Sequence, residues 1–486
     1  MSPAEAAAFR ARLREIVGPE GVLEAEADRL VYECDGYTIE KSVPDVVVLP
    51  RTGEETAAVV KACSVAGVPF TPRGAGSSLA GGAIPLGGGA MIAMTRMNRI
   101  LEIDVANRYA VVEPGVVNLW LSNKLKGTGL HYAPDPSSQG ACTLGGNIAT
   151  NSGGPHTLKY GVTCNHVLGA EFVLPSGEIA TFGGPTEDAP GYDLCGVAIG
   201  SEGTFGICTR AWLRLTPDPA AHRTMLAIFD SAEDCSESVS RIIAAGIVPA
   251  ALEMMDEPMV QAVEQAFHFG FPARLGALLI VEVDGFAAGL DRTAARCEEI
   301  CRAGGATEIR RAQDEAERLA IWKCRKKAFG AIGRLANAYC CQDGVVPRSR
   351  IPAMLRFVGE VGRRHELRIV NVFHAGDGNV HPILLFDQSD AAQIERVLAA
   401  SHEILDKCIE LGGTVTGEHG IGVEKIGFMA KLFAPADLDS MRRVRRLFDP
   451  EGRANPRKAI PEAPPAGGAE APEGGGFGLR AVRKAT

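Results

Sequence analysis

Closely spaced cysteine pairs are missing from this sequence. It contains 13 cysteines in 486 residues, but no two of them are separated by two residues. Cysteine-ligated iron–sulfur clusters and structural zinc sites usually depend on such pairs, so we expect neither in this chain. Only Cys340 and Cys341 are adjacent, and Cys297 and Cys301 lie four positions apart in a predicted helix. We expect reduced, mostly buried cysteines, as is typical of a cytoplasmic protein.

Long apolar runs and an excess of basic residues are also missing. No uninterrupted apolar stretch reaches the ~18 residues of a membrane-spanning helix. The pattern of residues 1–18 predicts a polar, amphipathic helix rather than a secretory signal. The formal net charge is -9, and the basic residues are dispersed apart from a short arginine cluster at 442–446. We therefore expect a cytoplasmic protein with no nucleic-acid partner and no membrane span, which could still dock on a membrane-bound partner.

The two common nucleotide-binding fingerprints are absent as well. No G-x-G-x-x-G motif follows a strand and opens a helix, which disfavours a nicotinamide-binding Rossmann fold, and there is no G-x-x-x-x-G-K-[ST] phosphate loop. Instead, three loops rich in glycine and small residues occur at Arg73–Gly82, Cys142–Gly154 and Gly200–Gly206. Such loops let several backbone N–H groups converge on a pyrophosphate. One loop alone is more often a tight turn, but three together favour a dinucleotide cofactor.

The order of predicted elements indicates more than one core unit, as expected for a chain of this length. A buried strand at Val46–Leu49 precedes a helix at Thr52–Ala66, with Thr52 as N-cap and Glu55 at the capping-box position. Turn-prone residues 216–219 end the first unit. The second half alternates helices and strands, including a long charged helix at Ala312–Ala336.

We therefore predict four segments along the chain. Residues 1–219 form a first domain that carries the glycine-rich loops, and residues 220–430 form a second domain. Residues 431–460 form a helical segment that returns to the first domain. The Pro-, Ala- and Gly-rich residues 461–486 form a disordered tail.

The glycine-rich segments resemble a known flavoprotein family. The runs PRGAGSSLAGGAIP, GACTLGGNIATNSGGPHTLKYGVT and GSEGTFGICT are similar to the FAD domain of the vanillyl-alcohol-oxidase (PCMH-type) superfamily. The resemblance implies an α+β fold. A PCMH-type FAD-binding domain of two α+β subdomains, residues 1–219, carries a C-terminal cap domain with an antiparallel sheet and helices, residues 220–430, which binds the substrate and holds a metal site. Some members attach FAD covalently through a histidine after the second glycine of the first loop. Ser77 stands there, which implies non-covalent FAD.

The same resemblance implies which residues contact FAD. They are Arg73, Gly74, Ala75, Gly76, Ser77, Ser78, Pro136, Ser137, Ser138, Thr143, Gly145, Gly146, Asn147, Asn151, Ser152, Gly153, Gly161, Val162, Glu202, Gly203, Ile207 and Asn455.

Two histidine-containing segments in the second half suggest a metal site. In NVFHAGDGNVHPILLFD, His374 and His381 flank a glycine-rich turn, and in TGEHGIGVEK, Glu418 precedes His419. Two imidazoles and a carboxylate suit a divalent ion with open positions, such as zinc, manganese or iron(II). The alternative is a set of ordinary loop histidines and a solvated glutamate. The residues alone do not pair the two segments.

These two segments resemble the C-terminal motifs of the family that includes the glycolate oxidase flavoprotein subunit and the D-lactate and D-2-hydroxyglutarate dehydrogenases. The resemblance implies that His374, His381 and Glu418 hold the metal and that His419 is the base. Asn455-Pro456 is similar to the family's closing N-P-G-K motif, with Arg457 where glycine is usual. The resemblance also implies an iron–sulfur subunit and a second flavin-domain subunit as partners.

The predicted reaction is the oxidation of a short D-2-hydroxy acid, glycolate or D-lactate, to the 2-oxo acid. A metal would lower the pKa of the substrate hydroxyl, His419 would titrate near neutral pH and accept the proton, and the Cα hydride would go to flavin N5. Arg325, in a W-x-x-R pattern, is the first candidate for the substrate carboxylate and Arg348 the second. Arg325 could equally be a surface charge of its helix.

Other functions remain open from the sequence. Ile383 follows the second metal histidine where 2-hydroxyglutarate enzymes usually carry a polar residue, which favours a short substrate. A D-2-hydroxyglutarate or other D-2-hydroxy acid dehydrogenase that passes electrons to quinone, cytochrome or an electron-transfer flavoprotein is the main alternative. A flavin-free metal hydrolase and a non-catalytic flavin-binding subunit are two further hypotheses.

Overall fold

The computed structural model describes residues 1–187 and 190–462. Its strands are β1 Val22–Leu23, β2 Val46–Val48, β3 Phe70–Arg73, β4 Ala90–Ala93, β5 Ile100–Asp104, β6 Tyr109–Val112, β7 Leu130–His131, β8 Val167–Val173, β9 Ile179–Gly183, β10 Ile207–Arg214, β11 Thr216–Pro217, β12 Ala221–Phe229, β13 Ala251–Asp256, β14 Ala277–Gly285, β15 Ala306–Arg311, β16 Ala338–Cys341, β17 Gly344–Val345, β18 Arg368–His374 and β19 Asn379–Phe386.

The α-helices are α1 Pro3–Val17, α2 Glu26–Leu30, α3 Gly53–Ala66, α4 Asn118–Leu125, α5 Leu144–Thr150, α6 Thr157–Tyr160, α7 Leu194–Ala198, α8 Ala232–Ala244, α9 Glu257–Phe267, α10 Leu290–Ala303, α11 Glu315–Lys326, α12 Ala328–Ile332, α13 Ile351–Arg364, α14 Ala391–Glu410, α15 Met429–Leu432 and α16 Pro435–Phe448. No helix in the described ranges is both long and apolar enough to cross a membrane.

The first sheet has the order β1-β2-β4-β3. Strands β2 and β3 both run parallel to β4, and parallel neighbours need a crossover, which α3 provides after β2. The predicted N-cap is confirmed, because the Thr52 side chain accepts a hydrogen bond from the Glu55 N–H at 3.1 Å. The Glu55 carboxylate, however, accepts from the Arg51 N–H at 2.7 Å.

A second, antiparallel sheet has the order β5-β6-β10-β8-β9. Helices α4 and α5 cover it with Leu121, Leu125, Leu144 and Ile148, which share one apolar core with the strands. Helix α5 corrects the prediction that residues 142–154 form a loop. Its start is fixed by Thr143, whose hydroxyl accepts a hydrogen bond from the Gly146 N–H at 3.4 Å. The adjacent glycines at 145 and 146 hid this helix in the sequence.

A third sheet of eight strands forms the cap, in the order β15-β12-β14-β13-β18-β19-β16 with β17 beside β19. Both faces of this sheet are buried, as strand β12 shows, because successive side chains of a strand point to opposite faces. Met225, Ala227 and Phe229 join the core beneath α8, α10, α13 and α14, while Leu226 and Ile228 join the core beneath α9 and α12. The cap is therefore an antiparallel sheet between two helical layers.

The predicted long helix at Ala312–Ala336 is wrong in its extent. Strand β15 continues to Arg311, and the helical region is divided at Lys327 into α11 and α12. The Asp314 side chain caps α11 by accepting from the Glu317 N–H at 2.9 Å. The buried residues Ala328, Ala331 and Ile332 of α12 share an apolar core with residues of α9.

After α16 the chain returns to the first sheet. The Phe70 N–H donates to the Arg453 carbonyl at 3.0 Å, and the Asn455 N–H donates to the Phe70 carbonyl at 2.8 Å. These bonds form a parallel bridge between Phe70 and Ala454. The predicted disordered tail lies mostly at residues 463–486, outside the described residues.

Candidate active site

A cleft of about 420 Å³ lies between the two N-terminal sheets and the cap. All three glycine-rich segments contribute to its wall, together with the two histidine segments. The predicted site residues that line it are Arg73, Gly74, Ala75, Gly76, Ser77, Ser78, Pro136, Ser137, Ser138, Thr143, Gly145, Gly146, Asn147, Ser152, Glu202, Gly203, Ile207, His374, His381, Glu418 and His419.

Glycine is required where the segments meet. A Cβ at Gly74 would lie 2.3 Å from the Thr143 hydroxyl oxygen, so the first and second segments contact each other only because that Cβ is missing. At Gly203 the φ angle is +75°, and a Cβ would lie 2.3 Å from the Pro72 side chain. The wall is thus made of closely packed backbone and small side chains, which fits the elongated, phosphate-bearing FAD.

Four residues predicted to contact FAD support the wall instead of lining it. The Asn151 side chain accepts a hydrogen bond from the Cys164 N–H at 2.8 Å. The Val162 N–H donates to Asn165 at 3.0 Å, and Gly161 precedes it with a φ of +87°. The Asn455 amide donates to the Gly82 carbonyl at 2.9 Å and to the Glu202 carbonyl at 2.6 Å. These residues hold the loops that form the cleft.

Gly153 lies at the edge of the histidine corner of the cleft without lining it. A Cβ there would lie 2.6 Å from the Thr157 hydroxyl and 3.3 Å from Glu418 Oε2. The loop after α5 therefore packs tightly against Thr157 at this position and passes close to the Glu418 carboxylate.

A hairpin brings the two predicted metal histidines together. Strands β18 and β19 pair antiparallel, with His374 opposite Asn379 and His381 opposite Val372. The two histidines therefore lie two positions apart on the same face of the sheet. Their Nε2 atoms lie 3.1 Å and 3.3 Å from the same oxygen, Glu418 Oε1. The structure thus joins the two segments that sequence alone could not pair.

The remaining ring nitrogens are fixed by outer contacts. His374 Nδ1 lies 2.8 Å from Glu253 Oε1, and His381 Nδ1 lies 3.0 Å from the Gln342 carbonyl oxygen. With Nδ1 donating, the Nε2 atom of each neutral imidazole would be the nitrogen available to a metal, an arrangement common among metal-binding histidines. Glu418 Oε2 is buried and has no partner among the described residues. This donor set, whose ligand atoms lie within 4.8 Å of one another, fits a divalent metal.

The charges of this corner are strongly coupled. Burial disfavours the charged imidazole of His374, but Glu253 and Glu418 raise its pKa well above the ordinary value. Burial works against the Glu418 carboxylate, yet His374 and His381 lower its pKa well below the usual range. Without a metal, the imidazole and carboxylate groups therefore stabilise one another as ion pairs.

His419 stacks on His381, with ring centroids 5.0 Å apart and planes at 12°. Burial lowers the pKa of His419 to about 4, while nearby Asp343 opposes the shift. The expectation that His419 titrates near neutral pH is therefore wrong, because the desolvation of the imidazolium exceeds the attraction of Asp343. A neutral imidazole at pH 7 can still accept a proton.

Two carboxylates hold the loop that carries Glu418 and His419. Asp343, which is fully buried, accepts hydrogen bonds from the Thr416 hydroxyl at 2.6 Å, the Gly417 N–H at 3.0 Å and the His419 N–H at 2.8 Å. Glu202 accepts from the backbone N–H groups of residues 421 and 422 at 2.7 Å and 2.8 Å. The loop is thereby fixed from the cap side and from the FAD-domain side.

Neither candidate arginine lines the cleft. Arg325 is 1% exposed and donates through Nε to Glu253 Oε2 at 2.6 Å. Its Nη1 lies 3.5 Å from the Ser137 hydroxyl on the cleft wall, and its Nη2 has no partner among the described residues. Arg325 is therefore not a surface charge. Arg348 is half-buried and donates to the Gly376 carbonyl at 2.9 Å, which supports the turn of the histidine hairpin.

Sequence analysis missed several residues of this corner. Glu253, Gln342 and Asp343 contact the histidines or their loop, and Phe329 and Tyr339 line the cleft. A signal was present for two of them, because Glu253 and Asp343 are acidic residues inside apolar runs, where an unpaired charge is costly to bury. Ile383, expected to influence substrate choice, is fully buried in an apolar core and is not among the lining residues.

Comparisons with known proteins identify the family. Residues 44–183 match the FAD binding domain family, and residues 218–459 match the family described as FAD linked oxidases, C-terminal domain. The glycolate oxidase subunit GlcD of Escherichia coli (strain K12) is 42% identical over 449 residues, covering 92% of this chain and 90% of that protein. The D-lactate dehydrogenase of Anaerostipes hadrus is 34% identical over 452 residues, covering 91% and 95%.

Solved structures agree on the fold. The 4-ethylphenol oxidase from Gulosibacter chungangensis superimposes with a TM-score of 0.80 at 19% identity, covering 95% of this chain and 98% of that chain. The p-cresol methylhydroxylase gives 0.77 at 17% identity, covering 94% and 97%. The family and the PCMH-type α+β fold predicted from the three glycine-rich segments are confirmed. The chain belongs to the FAD-linked oxidase family of the glycolate oxidase and D-lactate dehydrogenase flavoproteins, and it is an FAD-linked oxidoreductase.

Proposed function

We propose that the protein oxidises a short D-2-hydroxy acid, glycolate or D-lactate, to the corresponding 2-oxo acid. The observation that carries this proposal is the meeting of His374, His381, Glu418 and His419 at one end of the cleft lined by the glycine-rich segments. Relatives named glycolate oxidase subunit and D-lactate dehydrogenase support the substrate class.

The cleft walls of domain 1–219 would hold FAD non-covalently, since Ser77 offers no imidazole for a covalent link. Backbone N–H groups of the glycine-rich segments would bind the pyrophosphate, with Asn151, Gly153, Gly161, Val162 and Asn455 supporting the wall. Bound FAD would supply the acceptor for the hydride that leaves the substrate Cα. Domain 220–430 would close the other side of the cleft and exclude water from the reacting atoms.

His374, His381 and Glu418 would hold a divalent metal, zinc, manganese or iron. Such an ion would supply Lewis acidity that lowers the pKa of a 2-hydroxyl group. The His419 imidazole, neutral at pH 7 because burial lowers its pKa, would accept the hydroxyl proton. Asp343 and Glu202 would keep that imidazole in place by fixing its loop.

Arg325 is the proposed anchor for the substrate carboxylate. Its buried Nη2 has no partner among the described residues, and its Nη1 reaches Ser137 on the cleft wall. A carboxylate in the cleft would satisfy these donors with charge-assisted hydrogen bonds. Arg348 is the weaker candidate, because one of its N–H groups already holds the Gly376 carbonyl.

An anaerobic flavin-reduction screen tests the proposal. The purified protein is mixed without oxygen with glycolate, D-lactate, L-lactate, D-2-hydroxyglutarate and 3-hydroxybutyrate, and the flavin absorbance is followed. We expect bleaching by glycolate or D-lactate, with L-lactate far slower. Bleaching by D-2-hydroxyglutarate alone would favour the dehydrogenase alternative. A flavin that none of the acids reduces would contradict the proposal.

The protein would work in the cytoplasm with partners that carry electrons onward. The relatives from Escherichia coli and Bacillus subtilis are named subunits of glycolate oxidase, and this chain has no cysteine pairs for an iron–sulfur cluster. We therefore expect an iron–sulfur subunit and a second flavin-domain subunit. Affinity purification of the tagged protein from its native host, with the bound proteins identified by mass spectrometry, checks this expectation.

A further inference from the structure

Glu253 is a buried carboxylate on β13 that contacts two functional side chains at once. Its Oε1 lies 2.8 Å from His374 Nδ1, and its Oε2 accepts from Arg325 Nε at 2.6 Å. We propose that Glu253 is a positioning residue that orients the metal-site imidazole of His374 and the guanidinium of the carboxylate anchor Arg325 at the same time. This inference rests on the proposed function.

The backbone register gives Glu253 this position. Strands β13 and β18 pair antiparallel with Glu253 directly opposite His374, so their side chains lie on the same face at the closest spacing that a sheet allows. Both residues are enclosed, with 1% exposure for Glu253 and 4% for His374. A buried carboxylate in this place holds the imidazole more rigidly than a solvent-exposed one could.

The first consequence concerns the metal ligand. When Nδ1 of His374 donates to Glu253, the Nε2 of the neutral ring carries the lone pair that a metal would bind; this Nε2 lies 3.1 Å from Glu418 Oε1. Outer-shell carboxylates that fix a metal-binding histidine in this way typically contribute ~10–100-fold to metal affinity. Loss of Glu253 would free both the tautomer and the ring orientation of His374.

The second consequence concerns the guanidinium. The group is planar, so a hydrogen bond at Nε fixes the directions of the remaining N–H groups. Those groups are the unpartnered Nη2 and the Nη1 that lies 3.5 Å from Ser137. Glu253 on β13 therefore holds Nε of Arg325, while Nη1 and Nη2 on the other side of the guanidinium can bind a ligand.

Charge supports the same division of roles. The contact chain Arg325, Glu253, His374 and Glu418 contains one guanidinium and two carboxylates. If the His374 imidazole is neutral, a bound divalent ion would bring the summed charge of the ion, Arg325, Glu253 and Glu418 to one net positive charge. A single substrate carboxylate matches that charge.

A second buried pair shows what a purely structural carboxylate does in this fold. Glu282, on the neighbouring strand β14, accepts two hydrogen bonds from Arg318 at 2.8 Å and 2.9 Å and a third from Trp322 Nε1 at 2.7 Å. Arg318 is on α11, the helix that carries Arg325. Glu282 binds its arginine with both oxygens, whereas Glu253 gives one oxygen to arginine and the other to His374. Glu282 is therefore a matched control.

The experiment compares Glu253→Gln with Glu282→Gln. Metal-free protein is titrated with Zn²⁺ against a chromophoric chelator, and oxalate binding to the metal-loaded protein is followed by its perturbation of the flavin spectrum. We expect Glu253→Gln to lose ~10-fold or more in Zn²⁺ affinity and to bind oxalate more weakly, with flavin content unchanged. Glu282→Gln should keep wild-type affinities even if it melts earlier.

Two results would overturn the proposal. One is wild-type Zn²⁺ and oxalate binding in Glu253→Gln, and the other is an equal loss in both variants, which would indicate a general effect of burying an uncharged side chain. If Glu253→Gln does not retain flavin, Glu253→Asp is measured in the same way, because its shorter side chain cannot make both contacts. Unchanged binding of Zn²⁺ and oxalate in Glu253→Asp would also overturn the proposal.

A wild type that binds Zn²⁺ but is reduced by no 2-hydroxy acid would refute the proposed function while leaving the metal-affinity comparison intact.

Discussion

The two ends of the cleft are built in different ways. The wall between Gly74 and Gly203 consists of backbone and small side chains, and its shape depends on Cβ atoms that are missing. The corner around Glu418 consists of buried charged side chains from separate strands and a loop, each held by a partner distant in sequence. The first region is formed by close contacts between glycine-containing segments, whereas the second depends on strand register. Changes in one region should therefore leave the other largely intact.

The largest expected effect is the loss of catalysis without loss of flavin. His374→Ala removes one of the two imidazoles that face Glu418 Oε1, so we expect metal affinity to collapse and flavin reduction by the best substrate to slow by about 10³-fold. Stopped-flow absorbance measures the reduction rate, and the flavin-to-protein ratio measures cofactor content. His365→Ala is the control, because His365 contacts Glu403 on the outer side of the cap. Loss of flavin in His374→Ala would show that the two regions are not separable.

The reverse change should remove flavin and keep the metal. In Gly74→Ala the new Cβ would lie 2.3 Å from the Thr143 hydroxyl oxygen and force the two segments apart. Overpacking of this kind costs ~1–3 kcal/mol, which corresponds to roughly 10–100-fold weaker FAD binding. Gly140→Ala is the control, because a Cβ there meets no atom within 4 Å. FAD fluorescence on titration of the apoprotein measures the affinity. Equal FAD affinity in both variants would contradict the close contact between the segments.

A smaller effect is expected from the residue that fixes the catalytic loop. Asp343→Ala leaves the backbone N–H groups of residues 417 and 419 without their acceptor, at a cost of ~1–3 kcal/mol for each buried donor. We expect flavin reduction to slow by roughly tenfold or more, with flavin retained. Glu202→Gln keeps an acceptor oxygen for one of the two N–H groups of residues 421 and 422, so it removes fewer acceptors than Asp343→Ala and should be milder. If Asp343→Ala reduced as fast as wild type, this carboxylate would have no positioning role.

The smallest effect concerns the contact between the FAD-domain loop and the cap. Burial alone would lower the pKa of His156, but Asp135 and Glu282 raise it to about 10. A pKa above the unfolded value of ~6.5 means that this stabilisation is complete below pH 6.5 and is lost as pH rises through about 10. The melting temperature of the wild type should therefore fall by roughly a few degrees more between pH 6.5 and 10 than that of His156→Gln. Parallel curves for the two proteins would rule out this contribution.

The same division explains which parts could be predicted from sequence. The glycine-rich segments and the hairpin with His374 and His381 are local patterns, so they gave the fold, the family and most of the cleft. Glu253 was missed because its partner His374 is 121 positions away in the chain, and only the register of β13 against β18 brings them together. Helix α5 was missed because consecutive glycines conceal a helix whose start depends on the Thr143 cap.

Details of the site also depend on contacts that a motif does not show. The side chains of Asn151 and Asn455 bond to backbone groups of neighbouring loops, and their contact with flavin stays a prediction. The near-neutral titration expected for His419 ignored desolvation, which depends on how completely the loop is enclosed. Burial of a given side chain is a property of the assembled domains and is not visible in a short motif.

The most direct test of the proposed chemistry is the rate of anaerobic flavin reduction by glycolate and D-lactate in one protein preparation before metal removal, after dialysis against a chelator, and after Zn²⁺ or Mn²⁺ is restored. We expect the metal-free protein to keep its flavin but to react at least ~100-fold more slowly, and the rate to return with the metal. An unchanged rate in metal-free protein that retains its flavin would contradict the role of His374, His381 and Glu418 as the ligands of a catalytic ion.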